Sequence, residues 1–131
     1  MFKIDPDTKH IYLTRGNSCK IDITPLCDCD SDAIILSDND KVIFTMAAPS
    51  GRVYLQKILT SNDYDGLDDM SLNLILTPED TINIKPLEYR YDVLLVYEDG
   101  ASSTFISNAK FSLLQALGTY KDLGGAKDGI K

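Results

Sequence analysis

The 131-residue sequence has no tryptophan, one histidine and only three cysteines. No apolar run approaches the roughly 18 residues that a membrane-spanning helix needs. Cations are scarce as well: 13 Lys and Arg stand against 20 Asp and Glu, a net charge of −7. Each shortage excludes something. Three cysteines, Cys19, Cys27 and Cys29, would leave one over in a disulfide framework, so reduced thiols are expected. The cation deficit runs against a generic nucleic-acid binder, whose affinity comes from Lys and Arg neutralising phosphates. Neither nucleic acid nor a membrane is expected as a partner. Residues Met1 to Asp7 lack the apolar stretch of a secretory signal, so synthesis in a cytoplasm is expected.

Hydrophobic residues make up 44% and charged residues 25%, the balance of a soluble globular domain rather than a disordered, collagen-like or coiled-coil chain. One domain is expected over residues 1–117. Residues 118–131, with Gly118, Gly124, Gly125 and Gly129 among Lys121, Lys127 and Lys131, read as a flexible tail too poor in apolar surface to order alone.

Within the domain, apolar residues alternate with polar ones at the period of a strand. Ile11 to Thr14 is the first such signal, and Gly16-Asn17 supplies the turn after it. Cys19, Ile21 and Ile23 alternate with Lys20 and Asp22 until Pro25. Ala33 to Leu36 reads as a short strand or a loop anchor. Val42, Phe44 and Met46 form another strand, with Val53 to Leu59 as its hairpin partner across Pro49-Ser50-Gly51. Residues 61–69 read as turn throughout. Leu72, Leu74 and Leu76 follow, and Thr77-Pro78-Glu79-Asp80 predicts a single helical turn. Tyr89 to Tyr97 is the longest strand signal; its outer positions turn from charged to apolar, which predicts cover on both faces of its second half. Asp99-Gly100 is a hairpin turn, and Ser103 to Ile106 and Lys110 to Leu113 complete the set.

About eight strands with turns every ten residues or so predict an all-β sandwich. The competing α+β reading needs a helix over Ala109 to Leu117, where Phe111, Leu114 and Leu117 fall at helical spacing.

Few constellations suggest chemistry. Asp28, Asp30 and Asp32 have the spacing that opens a calcium loop, but Ala33 stands where the loop needs glycine. Asp63 and Asp65 could also offer oxygens to a hard cation. Solvated turns, in which Asp caps its own backbone, explain both clusters without a metal. Cys27-x-Cys29 with Cys19 and His10 has four zinc-type ligands in number but not in spacing. His10 is the only imidazole available to a triad, and no nucleophile-elbow glycine pattern flanks any serine or cysteine. No catalytic residue and no cofactor are therefore expected. Tyr89, Tyr91 and Tyr97 lie on one strand, as core residues or as a stacking surface for sugars.

Four segments, in order, resemble one family. Ile11-Tyr12-Leu13-Thr14-Arg15-Gly16-Asn17-Ser18 is similar to an I-x-L-T-R-G-D-S/T opening. Residues Leu36 to Thr45 are similar to L-x-D-G-D-x-V-x-F-T, and Leu74 to Thr81 to I-x-L-T-P-E-D-T. Tyr89 to Leu95 is similar to Y-x-Y-D-V-x-L. These patterns resemble small phage and prophage proteins like the N-terminal domain of the phage upper baseplate protein. Asn17 stands for an aspartate and Cys19 for an apolar residue. The stretch from Cys27 to Asp32 departs most, and residues after Leu117 have no counterpart.

The resemblance implies an immunoglobulin-like antiparallel β-sandwich and a multi-copy virion component of a baseplate, tail or head accessory assembly. Its implied partners are copies of itself and other phage structural proteins, with an exposed sheet edge or apolar patch used for docking. The alternative is a carbohydrate or host-surface binding module on the same sandwich, with calcium held by the acidic loops.

Overall fold

The computed structural model describes residues 1–26, 34–65 and 68–116, with backbone alone at 65 and 68–70. Nine strands are present among them: β1 (Phe2–Ile4), β2 (Ile11–Thr14), β3 (Cys19–Ile23), β4 (Lys41–Ala47), β5 (Val53–Leu59), β6 (Tyr64–Asp65), β7 (Asp68–Leu76), β8 (Glu88–Val96) and β9 (Ser102–Leu114). A 3-10 turn at Ser61–Asp63 precedes β6, and a four-residue helix α1 (Pro78–Thr81) follows β7. One sheet has the order β1-β2-β9-β8-β4-β5 and the other β3-β7-β6. The all-β sandwich that the alternation predicts is the architecture of the chain.

Alternation sorts each strand onto its face. Val42, Phe44 and Met46 of β4 and Tyr89, Tyr91, Val93 and Leu95 of β8 turn inward. They meet Ile21 and Ile23 of β3 and Leu72, Leu74 and Leu76 of β7 from the other sheet. Phe44 sits at the centre, its ring 5.3 Å from that of Tyr91 and 6.3 Å from that of Phe111. The burial of these side chains is the main stabilising term, at about 1.5–3 kcal/mol for each large one.

The turns follow their residues. The carboxylate of Asp80 accepts from the N–H of Thr77 at 2.7 Å, closing the start of α1 where Pro78 has no N–H to offer. Gly100 takes φ +92 in the β8–β9 hairpin. At the beginning of β8 the Tyr89 hydroxyl donates to the carbonyl of Lys85, four residues upstream, and pins the chain as it enters the sheet.

Several expectations need correction. The sandwich is not wholly antiparallel: β2 runs parallel to β9, Ile11 beside Phe111. Nothing local in the sequence encodes a pairing between residues so far apart. An additional strand, β1, pairs with β2 through a tight connection in which the Asp5 carboxylate accepts from the N–H groups of Asp7 and Thr8. The turn-rich segment 61–69 contains β6, and β7 begins at Asp68. Of the two readings of Ala33 to Leu36, the loop anchor is the one found: residues 34–36 form no strand and Leu36 is buried.

The two short strands expected at 103–106 and 110–113 are one long strand, β9. The helix considered over Ala109 to Leu117 is strand as far as Leu114. A register shift near Asp92 accommodates the polar Ser107-Asn108 step. Asn108 takes φ +53 there, its N–H donates to the Asp92 carboxylate and its carbonyl accepts from Arg90. Such a bulge carries a strand past a break that reads, in sequence, as a loop. Leu94 and Val96, expected to be covered, are half-buried on the outer face of the larger sheet. The tail expected at 118–131 lies outside the described residues.

Candidate functional site

The outer face of the six-stranded sheet is the surface on which the chain departs most from strict alternation. Ile58 of β5 is paired with Ile43 of β4, and Ile43 with Leu94 of β8. Leu94 is in turn opposite Thr104 of β9. These residues make an apolar row across the sheet where polar side chains are the rule. Ile58 is 55% exposed, and Ile43 and Leu94 are half-buried. The row beneath is polar: Gln56 donates to the Thr45 hydroxyl at 3.0 Å, and Thr45 is opposite Asp92.

The apolar row ends at β5, the last strand on that side among the described residues. Val53 and Tyr54 are also exposed, at 54% and 38%. The Tyr54 ring packs edge-on against Tyr89, and the Arg52 guanidinium lies over it at 5.1 Å. Lys57 is the only charged residue of β5, and its ammonium is 2.9 Å from the Asp80 carboxylate.

Two hollows adjoin the β9 bulge. One is a cleft of about 490 Å³ between the sheets, walled by Ile21, Ile23, Phe44, Leu74, Tyr91 and Phe105. Leu26, the last described residue before 27–33, lines it as well. The other is an open hollow of about 510 Å³, with Thr45, Arg90, Asp92, Ser107 and Asn108 around it. Its polar groups already satisfy one another through Asn108.

The residues singled out from sequence are scattered. Asp28, Asp30 and Asp32, like Cys27 and Cys29, lie outside the described residues, and so does the Asp65 side chain. The Asp63 carboxylate accepts from the N–H of Thr60 at 2.8 Å, the capping role of an acidic turn. His10 Nε2 is 2.8 Å from the Ser112 hydroxyl, and the imidazole stacks on Tyr12 with ring centres 4.0 Å apart. Among the described residues no carboxylate hydrogen-bonds that imidazole, the contact that orients the base of a triad. Tyr89 and Tyr91 are buried and spend their hydroxyls on the carbonyls of Lys85 and Lys9, so neither ring face is open to a sugar. Burial pushes the Tyr91 phenol up to about 12.

Cys19 is half-buried on β3. Burial first, and the nearby Asp80 charge second, push its thiol up to about 11 from 9.0. A two-unit rise leaves roughly 100-fold less thiolate at neutral pH. Alkylation of Cys19, in a chain with Cys27 and Cys29 changed to serine, is therefore expected to run about 100-fold slower than that of a free thiol. A rate matching free cysteine would show the thiol to be unshielded.

The four family-like segments converge as framework. The Gly16 N–H donates to the buried Thr81 hydroxyl at 2.8 Å, tying the first segment to the third. The Tyr91 hydroxyl donates to the Lys9 carbonyl, tying the fourth to the loop before the first. Asp40 in the second segment accepts from the N–H of Glu98, at the hairpin after the fourth. Sequence reasoning finds these positions but misses the apolar row. The signal for it is the presence of apolar residues at neighbouring positions, Val42-Ile43-Phe44, Ile58-Leu59 and Leu94-Leu95-Val96, where alternation calls for a polar one. Comparison with protein-family models and with curated proteins finds no match to this chain.

Proposed function

We propose that the chain is a structural module of a phage virion, present in several copies and acting through protein–protein contacts in a baseplate, tail or head accessory assembly. The observation that carries this reading is the apolar row Ile58–Ile43–Leu94 leading to β5, whose far edge is open among the described residues. A chain with net charge −7 has polar side chains to spare for that face. An apolar row that ends in an exposed Ile58 on a strand with one edge free among the described residues marks a contact surface. The class of assembly comes from the four ordered resemblances to small phage proteins, an analogy of pattern.

The strand order supports an immunoglobulin-like reading of the sandwich. β9-β8-β4 with β5 added at one side, against β3-β7-β6, is similar to the G-F-C and B-E-D strands of such a domain, with one strand beyond C where a variable-type domain has two. The Tyr89–Lys85 contact corresponds to the tyrosine corner of such domains.

The test is quantitative mass spectrometry of phage particles purified from a bacterium carrying the gene. The chain is expected to sediment with the particles at a fixed ratio above one copy each. Recovery only in the soluble lysate overturns the reading.

A further inference from the structure

We propose that β5 is a self-pairing edge, and that a second copy of this chain adds its own β5 antiparallel to it, joining two six-stranded sheets into one. The inference rests on the assembly reading and names the first partner of that surface.

The sheet edges differ among the described residues. β1 has three residues and β6 two, too short to template a partner. β3 has five, but presents Lys20 and Asp22 outward, the charged side chains that protect an edge. β5 has seven residues, five of them (Leu55 to Leu59) in unbroken register with β4 beyond a bulge at Tyr54, and its exposed positions Val53, Tyr54, Gln56 and Ile58 carry no charge. Lys57, the one residue that would guard the edge, is engaged by Asp80.

A second copy fits this edge by charge and by symmetry. Two molecules of net charge −7 repel, so a stable self-contact has to form where no acidic side chain faces another. Between Arg52 and Thr60 the chain has no Asp or Glu, and the Asp80 carboxylate that reaches this strand is paired with Lys57. With a two-fold axis through Gln56, Leu55 meets Lys57 of the other copy, and Ile58 meets Tyr54, the bulged residue that ends the regular run. No like charges are then opposed. The apolar row of one sheet continues into the other, and every new backbone bond is made twice.

The whole chain should sediment as a dimer across a micromolar concentration series. Ile58→Lys places a charge on the edge at a position already 55% exposed, so the monomer stays folded. Because each substitution enters the interface twice, the dissociation constant should rise on the order of 100-fold. Ile75→Lys, equally exposed but on the other sheet, should leave the dimer intact. Gln56→Cys, with the native cysteines changed to serine, should form a dimer through one symmetric disulfide on oxidation, since opposed antiparallel residues bring their Cα atoms within disulfide reach. A wild-type chain that stays monomeric throughout overturns the proposal, as does an Ile58→Lys chain that dimerises like wild type. A monomer that still sediments with phage particles overturns the self-pairing and leaves the assembly reading standing. A dimer that never joins particles does the reverse.

Discussion

Phe44→Ala is expected to destabilise the chain by about 3–5 kcal/mol, the usual cost of truncating a buried aromatic. Phe44 is fully buried, touches both Tyr91 and Phe111, and sits on a strand bonded on both sides. Its neighbours are held by two sheet ladders and have little freedom to collapse into the space. The cleft of about 490 Å³ works in the other direction, because Phe44 forms part of its wall and water can enter the enlarged space. That places the expected value toward the lower end of the range. At roughly 3–5 °C per kcal/mol for a domain of this size, the melting temperature should fall by about 9 °C or more. Ile75→Ala, on the outer face of β7 and 56% exposed, should stay within about 0.5 kcal/mol. Urea denaturation of the three proteins decides the matter. A Phe44→Ala chain within 1 kcal/mol of wild type, on the scale of ordinary point substitutions, would show that the inter-sheet core is not centred there.

The second large effect concerns Asp40, which is only 7% exposed. Its carboxylate accepts from the N–H of Ser37 at 3.0 Å and from the N–H of Glu98 at 3.0 Å, holding the loop before β4 to the β8–β9 hairpin. Asp40→Ala leaves two backbone donors without their acceptor and is expected to cost about 2–3 kcal/mol at neutral pH. The loss should depend on pH. The Ser37 N–H, outweighing burial and helped by the Glu98 N–H, holds the carboxyl below its ordinary 3.8. The unfolded chain therefore takes up this proton first as pH falls, and stability rises with pH in that window. The contribution is complete above about 4 and disappears as pH falls through the lowered native value. Asp5 and Asp80 shift in the same direction, so the variant keeps some acid sensitivity of its own. Denaturant melts at pH 7 and pH 3 should show the gap between wild type and Asp40→Ala narrowing in acid. A gap of equal size at both would exclude the ionised carboxylate as its cause.

Strands were legible wherever one face is buried and the other is wet. In β4 and β8 the inward residues can be read directly from the spacing of Val42, Phe44 and Met46 and of Tyr89, Tyr91, Val93 and Leu95. The helical turn at Pro78 was legible because its chemistry is local, with Thr77, Pro78 and Asp80 within one turn. What escaped was long-range. The pairing of β2 with β9 joins residues about a hundred positions apart, which no window of sequence can register. The merger of two expected strands into β9 depends on Asn108 accepting a left-handed conformation, a choice made by Arg90 and Asp92 on the adjacent strand. The apolar row was half legible. The turn from charged to apolar outer positions along β8 was visible, but cover from both sides is the ordinary meaning of such a run, and only the structure shows Leu94 left half-buried on that face.

The two neighbours of β2 differ in mechanical character. Tension applied between Met1 and Leu114 first acts on β1, which is antiparallel to β2 with Met1 beside Thr14, so its bonds open one after another like a zip. The load then passes to β2 and β9. Because these run parallel and are pulled from opposite ends, the four pairs from Ile11–Phe111 to Thr14–Leu114 bear it in shear, all at once. The sandwich is thus built with a soft first strand and, behind it, a clamp made of β2 and β9.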